Sequence, residues 1–450
     1  MNLSRVQPAA RSTRCITDAT LSRGTWPNNK QLLSETDQMT IGVGGKTTAE
    51  ALAALSNMNA GVSPIAQSEY AARTAKAQAK MREDGIAAMW VHAGTNMTYF
   101  TGTKWHPSER MVGAIVPATG AIEYLAPYFE QDTVRDFMMV PGPVNVWHEH
   151  ESPYQLFVET LRRIGLAKSG TKIGITEDTP FFVVNGIAKF ANDVGVGIEM
   201  VNAKPITAHC RMCKSTNEIA LMQRAKNMTL EVHKAAAGML HEGITTTEVT
   251  AFIDEAHKKV GATGSYFCIV LFGPATAFPH GVKDPQTLKT GDMVLIDTGC
   301  QVEGYISDIT RTYVFGEPTE RQRMVWNAEK AAQAAALAAA QLGVPCREVD
   351  IAARRSLAAD GFGPQYELPG LPHRTGHGIG LDIHEWPYLV GSDATPLAEG
   401  MCFSNEPMIC VPGEFGIRLE DHFYMTADGP RWFTQPSHSV DDPFGLQAGA

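Results

Sequence analysis

The stretch "GDMVLIDTGCQVEGYISDITRTYVFG", residues 291–316, places Asp297 and Asp308 in text that otherwise favours strands. It predicts an apolar strand ending on Asp297, a turn through Gly299 and Gly304, and a second strand that carries Asp308. Such a hairpin can bring the two carboxylates face to face, where they repel unless one is protonated or a cation lies between them. Aspartate is also a common turn former, so Asp297 could serve only to shape the bend.

Three later stretches supply further side chains of this chemical kind. They contain His377 in "TGHGIGLDIHE" (375–385), Glu406 in "CFSNEPMICV" (402–411) and Glu420 in "FGIRLEDHF" (415–423). The glycine-rich text around His377 favours neither a helix nor a strand. Both glutamates lie in or beside β-like apolar runs, where an unpaired charge is costly to bury. The carboxylates and the imidazole together form a hard-ligand set that suits two divalent cations such as Mn, Co or Zn.

Taken in order, "DTG", "GYISDITRT", "TGHGIGLDIHE", "NEP" and "GIRLED" resemble the motifs of the pita-bread metallopeptidases. The resemblance is closest to the branch that holds prolidase (Xaa-Pro dipeptidase) and aminopeptidase P. It covers about residues 67–430, and includes "RMCKSTNEIALMQRA" (211–225) and "TNMTYFTG" (95–102). It implies an α+β protein, in which a smaller α/β domain of the creatinase type precedes a pita-bread catalytic domain with duplicated αα-plus-antiparallel-sheet halves.

The resemblance also implies roles for individual residues. The implied metal ligands are Asp297, Asp308, His377, Glu406 and Glu420, with Asp308 and Glu420 bridging two divalent ions. The implied catalytic residues are His280, His384 and Glu406, and the implied substrate-binding residues are His373 and Arg418. The implied reaction is hydrolysis of the peptide bond before proline by a metal-activated bridging hydroxide. Glu406 would shuttle the proton, and His384 would stabilise the oxyanion.

One position departs from the family pattern, since Val302 stands where many relatives carry an aromatic residue, usually Tyr. The surroundings of the first metal are therefore expected to differ. A pita-bread enzyme acting on a small non-peptide substrate, such as an osmolyte hydrolase or lyase, stays open. Retention of the whole ligand set disfavours metal-free creatinase chemistry and a non-catalytic binding module.

The choice between dipeptidase and aminopeptidase depends on loops that would block longer peptides. Trp105 and His106, in "GTKWHPSER" (102–110), lie where relatives send a loop towards a neighbouring subunit's site. An ordinary surface loop is the alternative reading.

The order of elements predicts the domains. Residues 1–66, rich in Ser, Thr, Asn, Gly and Ala, predict a poorly ordered or accessory extension, with a transit peptide or a true start at Met39 as alternatives. Residues 67–205 alternate helix-like and strand-like text, which predicts an α/β domain. Residues 206–450 run helix, helix, strands, twice over; Ser215 with Glu218 and Thr245 with Glu248 are capping boxes, and Gly243 is expected to end the first helix.

Composition restricts the classes of partner. The 450-residue chain has 38 basic and 48 acidic side chains and a formal charge of -10, which argues against nucleic acid or an anionic membrane as main partner. No apolar run reaches the roughly 18 residues of a membrane span. The eight scattered cysteines favour reduced cytosolic thiols. We therefore expect a cytoplasmic homodimer that acts on proline-containing di- or oligopeptides.

Two short motifs are expected to be ordinary structural features and not functional sites. Cys210 and Cys213 form a CxxC pair without a second pair nearby, so we expect two ordinary thiols. His148 and His150, in "WHEHE", are expected to lie in a solvated loop.

Overall fold

The computed structural model describes residues 40–447. The transit peptide and the start at Met39, both proposed for residues 1–39, lie outside the described residues. Residues 40–66 contain α1 (Thr48–Ala53), and their apolar side chains join the core of the predicted catalytic domain. The Gly44 amide donates to the carbonyl oxygen of Ala237 at 2.8 Å. This part of the predicted extension is therefore packed against the catalytic domain.

The amino-terminal domain is a six-stranded mixed sheet accompanied by helices; numbered along the chain, its strands lie in the order 4-3-2-1-5-6. Its central strand is buried at every residue. Its elements are α2 (Gln67–Glu83), β1 (Ala88–His92), α3 (Thr95–Thr101), β2 (Gly113–Pro117), β3 (Glu123–Pro127), α4 (Gln131–Phe137), β4 (Val144–Trp147), α5 (Pro153–Arg163), β5 (Lys172–Ile175), α6 (Phe181–Asp193), β6 (Glu199–Asn202) and α7 (Lys204–Arg211). The α/β character predicted for this region is confirmed.

The domain that is predicted to be catalytic repeats one order of elements. The first half contains α8 (Thr216–Gly238), α9 (Thr246–Val260), β7 (Phe267–Phe272), β8 (Met293–Gly299), β9 (Gln301–Val302), β10 (Tyr305–Ile306) and β11 (Ile309–Val314). The second contains α10 (Glu320–Ala339), α11 (Cys346–Ala359), β12 (Gly376–Gly378), β13 (Glu385–Leu389), β14 (Cys402–Asn405), β15 (Met408–Val411), β16 (Phe415–Arg418), β17 (Asp421–Thr426) and β18 (Gly429–Trp432). The duplicated helix-helix-strands order is thus confirmed. Within residues 40–447, no helix is both long enough and apolar enough to cross a bilayer.

Antiparallel sheets carry the strands of both halves. The first half has the order β11-β8-β7, and the second has β13-β12-β14-β17-β18. The short pairs β9/β10 and β15/β16 stand beside them. The five predicted metal ligands lie on or next to these strands, so the sheets position them.

The ends of helices α8 and α9 agree only in part with the positions that the sequence predicts. Ser215 and Glu218 form the predicted capping box of α8, and Thr245 and Glu248 form that of α9. The prediction that Gly243 ends α8 is wrong, because α8 ends at Gly238 with Met239 as its C-cap. The Gly243 amide donates instead to the carbonyl oxygen of Leu288, at 2.9 Å.

The aspartate hairpin also differs from the prediction. Strand β8 continues past Asp297 to Gly299, and Asp308 lies in a break between β10 and β11. Ser307 approaches β8 so closely that a Cβ on Gly299 would lie 1.8 Å from its carbonyl oxygen. The break at Ser307 and Asp308 therefore depends on the absence of a side chain at Gly299.

The glycine-rich stretch forms a strand after all. His377 is the middle residue of β12, between Gly376 and Gly378. A Cβ at Gly376 would lie 2.1 Å from the carbonyl oxygen of Ser404, and one at Gly378 would lie 2.5 Å from that of Glu385. The glycines are needed because the backbones of the neighbouring strands approach so closely.

Candidate metal centre

The predicted metal ligands come together from both halves of the catalytic domain. His377 Nε2 lies 3.0 Å from Glu406 Oε1 and 3.6 Å from Asp308 Oδ2. One ligand atom each of Asp308, His377 and Glu420 lie within 4.8 Å of one another. The charge of Asp297 raises the pKa of both Asp308 and Glu420, so Asp297 belongs to the same cluster. We call these residues the carboxylate cluster: Asp297, Asp308, His377, Glu406 and Glu420.

The carboxyl groups of the cluster are electrostatically strained. Burial raises the pKa of Asp297, and burial with the neighbouring carboxylates raises those of Asp308 and Glu420 well above the ordinary range. Glu406 behaves oppositely: although burial acts to raise its pKa, the charge and hydrogen bond of His377 hold it well below the ordinary range. Repulsion of this kind is relieved by protons or by cations.

Two buried carboxylate oxygens indicate that the cluster fits a metal ion. Asp297 Oδ1 and Glu420 Oε1 are buried and have no hydrogen-bond partner among the described residues. A buried carboxylate oxygen normally has a donor or a cation beside it. Four carboxylates and one imidazole are also a donor set that divalent cations prefer. The residues therefore fit a divalent metal centre.

Neighbouring groups orient the cluster. Thr310 Oγ1 donates to Glu420 Oε2 at 2.7 Å, and Ser404 Oγ donates to Glu406 Oε1 at 3.1 Å. His377 Nδ1 lies 3.0 Å from the carbonyl oxygen of Gly378. Because a carbonyl oxygen only accepts, Nδ1 must carry a proton. Nε2 is therefore the nitrogen that faces the carboxylates, where it donates to Glu406 in this structure and would bind a cation after losing that proton.

The other predicted histidines lie beside this cluster. The centre of the His384 ring lies 4.2 Å from that of the His377 ring, and His384 is exposed. Partial burial and His377 lower the pKa of His384 to about 4, and burial lowers that of His373. His280, which is exposed, makes a further electrostatic contribution that lowers the pKa of both His373 and His384.

Arg418 forms an ion pair with Asp297. Its Nη2 donates to Asp297 Oδ2 at 2.5 Å, its Nε to Thr310 Oγ1 at 3.0 Å, and its Nη1 to the carbonyl oxygen of Pro279 at 3.1 Å. The side chain is buried. In this conformation Arg418 supports Asp297 and the segment before His280, so its predicted contact with substrate stays a prediction.

Val302, which departs from the family pattern, and the nearby aromatic residue Tyr305 lie on the short strand pair β9/β10. Val302 is buried on β9, opposite Tyr305 on β10. The Tyr305 hydroxyl donates to Glu218 Oε1 at 2.8 Å and accepts from Arg73 Nη2 at 2.9 Å. Tyr305 therefore faces α8 and α2.

Sequence reasoning missed the group that holds the segment before His384. Glu385 is buried and pairs with Arg211 Nη2 at 2.5 Å and with Lys214 Nζ at 3.0 Å. These cations outweigh burial and lower the pKa of Glu385 to about 2. Arg211 Nη1 also donates to Asn96 Oδ1 of the amino-terminal domain at 3.0 Å. No periodicity relates residues so far apart in the chain, so the sequence carries no local sign of this network.

Two buried basic residues near the cluster were also missed, and both had a sign in the sequence. His422 follows Glu420 by two residues, which is the spacing of one face of a strand, and its Nε2 lies 4.0 Å from Glu420 Oε1. Lys226 follows Met222 by four residues and therefore lies on the buried face of α8.

The remaining motifs lie outside the cluster. Cys210 and Cys213 are free thiols, and His148 and His150 are exposed, as expected. Trp105 and His106 line a cavity of about 740 Å³ between the amino-terminal domain and the loop of Leu381 and Asp382. Their predicted position near a neighbouring subunit's site stays a prediction.

Comparison with known proteins agrees with the geometry. Residues 73–213 match the model of the Creatinase/Prolidase N-terminal domain, and residues 220–427 match Metallopeptidase family M24. The chain is 31% identical to the putative dipeptidase YkvY of Bacillus subtilis over 356 residues, 79% of this chain and 95% of that protein.

Solved structures extend the likeness to the fold. Dipeptidase PepE from Mycobacterium ulcerans is 32% identical with a TM-score of 0.76, and the match covers 84% of this chain and 99% of that one. Prolidase from Thermococcus sibiricus is 30% identical with a TM-score of 0.73, covering 81% and 97%. With this coverage and with the carboxylate cluster intact, the chain belongs to metallopeptidase family M24 and has its pita-bread catalytic domain behind a creatinase-type amino-terminal domain.

Proposed function

We propose that the protein is an Xaa-Pro peptidase that hydrolyses the peptide bond before proline in di- or oligopeptides. The observation that carries the proposal is the carboxylate cluster, whose buried acidic groups surround His377. The relatives named dipeptidase and prolidase support the choice of substrate.

The metal ligands would be Asp297, Asp308, His377, Glu406 and Glu420, with Asp308 and Glu420 shared by two ions of Mn, Co or Zn. When bound, two divalent cations supply a water of lowered pKa and a positive charge for the substrate's carbonyl oxygen. The unpartnered oxygens of Asp297 and Glu420 support this assignment.

The histidines and Glu406 would act on the peptide itself. With a pKa of about 4, the His384 imidazole is neutral at pH 7 and would donate a hydrogen bond to the carbonyl oxygen as negative charge develops there. Glu406, which accepts a hydrogen bond from Ser404, would take the proton of the attacking water and pass it to the proline nitrogen. His280, which is exposed, would take part in catalysis, and His373, which is partly exposed, would bind the substrate together with Arg418.

The test compares Ala-Pro with Ala-Pro-Ala on chelator-stripped protein, with Mn, Co or Zn added back. Cleavage of the dipeptide alone would identify a dipeptidase, and cleavage of the tripeptide an aminopeptidase. No cleavage of either peptide with any metal would contradict the proposal and favour a small non-peptide substrate.

A matched pair of variants tests the site. Asp308→Asn removes a cluster charge with little change of shape and should lower kcat/KM by at least about 100-fold, together with metal content. Glu329→Gln is the control, since Glu329 is equally buried on α10 and burial raises its pKa well above the ordinary range. Full turnover and full metal content in Asp308→Asn would refute the assignment.

We further propose that the enzyme is a cytoplasmic homodimer. The free thiols and the composition support the location. Size-exclusion chromatography with light scattering would decide the oligomeric state.

A further inference from the structure

Lys226 is a fully buried lysine next to the carboxylate cluster. Its Nζ donates to the carbonyl oxygen of Ile306, two residues before Asp308, at 3.2 Å. The same Nζ lies 4.9 Å from the centre of the Phe433 ring. One hydrogen bond and one ring face leave most of the ammonium's hydration unreplaced.

The cluster provides the counter-charge that a buried ammonium needs. Burial lowers the pKa of Lys226 to about 8, and the charges of Asp308 and Glu420 act against that lowering. Reciprocally, Lys226 lowers the pKa of Asp308. At neutral pH the lysine is therefore mostly protonated, and its charge acts on the proposed bridging ligands.

We propose that the Lys226 ammonium is a fixed positive charge of the metal centre, which weakens the binding of divalent cations and weakens the second cation most. This inference rests on the proposed metal site. Once metal binding has displaced the protons of Asp308 and Glu420, the four ionised carboxylates together with Arg418 and Lys226 carry a net charge of two negative units. The first divalent cation neutralises that charge, so the second meets no net attraction. Without Lys226, one negative unit would remain for the second cation.

A fixed cation also has a role when metal is absent. It offsets part of the repulsion between Asp308 and Glu420, and it holds the end of β10, before Asp308, through the Ile306 carbonyl. Lys226 is thus a positioning and charge-balancing residue, and it does not touch the reacting atoms.

The test is a calorimetric titration of chelator-stripped protein with Mn²⁺, with the signal of coupled Mn pairs followed by electron paramagnetic resonance. The wild type should bind in two unequal steps. Lys226→Met should tighten the second step by at least about tenfold, and Lys226→Gln, which retains a donor for Ile306, should do the same. Lys234→Met is the control, because Lys234 lies on the same helix but pairs with Glu231 at 2.7 Å.

The outcomes separate the two proposals. Two equal and tight steps in the wild type, or a second step that is unchanged or weaker in a folded Lys226 variant, would overturn the role of Lys226 alone. No uptake of Mn²⁺, Co²⁺ or Zn²⁺ by the wild type would overturn the metal centre with it.

Discussion

The pKa values of Asp308 and Glu420 depend on the surroundings of these two side chains. Acidic side chains in the unfolded chain are ionised at neutral pH. In the fold, burial and the neighbouring carboxylates raise the pKa of both groups well above the ordinary range. The residue types could be picked out from the sequence because carboxylates stood in apolar runs, but the shifts depend on distances that only folding creates.

Buried histidines add a pH dependence that is independent of the metal. His92 at the end of β1 is fully buried, neither ring nitrogen has a partner in the described chain, and burial lowers its pKa to about 4. In the unfolded chain this histidine is protonated below about pH 6.5, whereas in the native chain it is protonated only near pH 4. The free energy of unfolding therefore decreases as the pH falls from 6.5 to 4.

Substitution of His92 by leucine should therefore flatten the pH profile. His92→Leu is expected to remove about 2 kcal/mol of the stability lost between pH 7 and pH 5. Urea unfolding at the two pH values measures the difference, with the exposed His438→Leu as control. Parallel profiles for wild type and His92→Leu would contradict the assignment.

At the scale of elements, the histidine segment owes its position to its neighbours. Strand β12 pairs with β13 and β14, and the register shifts between His377 and Gly378. The loop before β13 is held by Glu385, whose Oε1 accepts from the Leu381 amide at 3.0 Å. The glycines around His377 predicted a flexible loop, but in the structure they allow the neighbouring strands to pack closely.

The ion pairs of Glu385 predict an acid-sensitive positioning of His384. Its folded-state pKa of about 2 lies below that of an unfolded glutamate, so its contribution is present above about pH 4.3 and is lost as pH falls towards 2. Glu385→Gln should cost about 3 kcal/mol of unfolding free energy at pH 7 because Arg211 and Lys214 lose their buried partner.

Denaturant unfolding at pH 7 and pH 2.5 checks this prediction. The deficit of Glu385→Gln should shrink at the lower pH, and kcat should fall because the His384 segment loses its anchor. Glu399→Gln, at an exposed glutamate of the same half, is the control. An equal deficit at both pH values would show that the charge of Glu385 is not responsible.

At the scale of the molecule, the metal centre joins the two halves of the duplicated domain. Asp297 and Asp308 come from the first half, and His377, Glu406 and Glu420 come from the second. A ligand bound only by the native state stabilises it, by about 2.7 kcal/mol at a hundred times Kd. Removal of metal should therefore loosen the contact between the halves.

The stabilisation by metal should grow with pH. Raised pKa values of Asp308 and Glu420 mean that their protonation stabilises the metal-free fold at low pH and that this stability is lost as pH rises. The shift in Tm between Mn²⁺-loaded and chelator-treated protein is thus expected to be larger at pH 8 than at pH 5.5. Asp308→Asn should reduce the shift, and equal shifts at both pH values would argue against metal binding by this cluster.

The sequence by itself determined the fold class, the duplicated element order, the capping boxes of α8 and α9, and which residues could belong to a metal site. These features depend on local periodicity, on caps and on motifs that resemble a family, all readable along the chain. They were enough to select the five cluster residues, which the fold brings together.

Only the tertiary structure decided how those residues are supported and charged. Arg418 under Asp297, Glu385 between Arg211 and Lys214, and Lys226 beside Asp308 join segments that are far apart in sequence. The strand around His377 and the break at Asp308 depend on backbone contacts at Gly376 and Gly299. Pairings and close approaches of this kind have no period along the chain, because they arise when separate elements pack together.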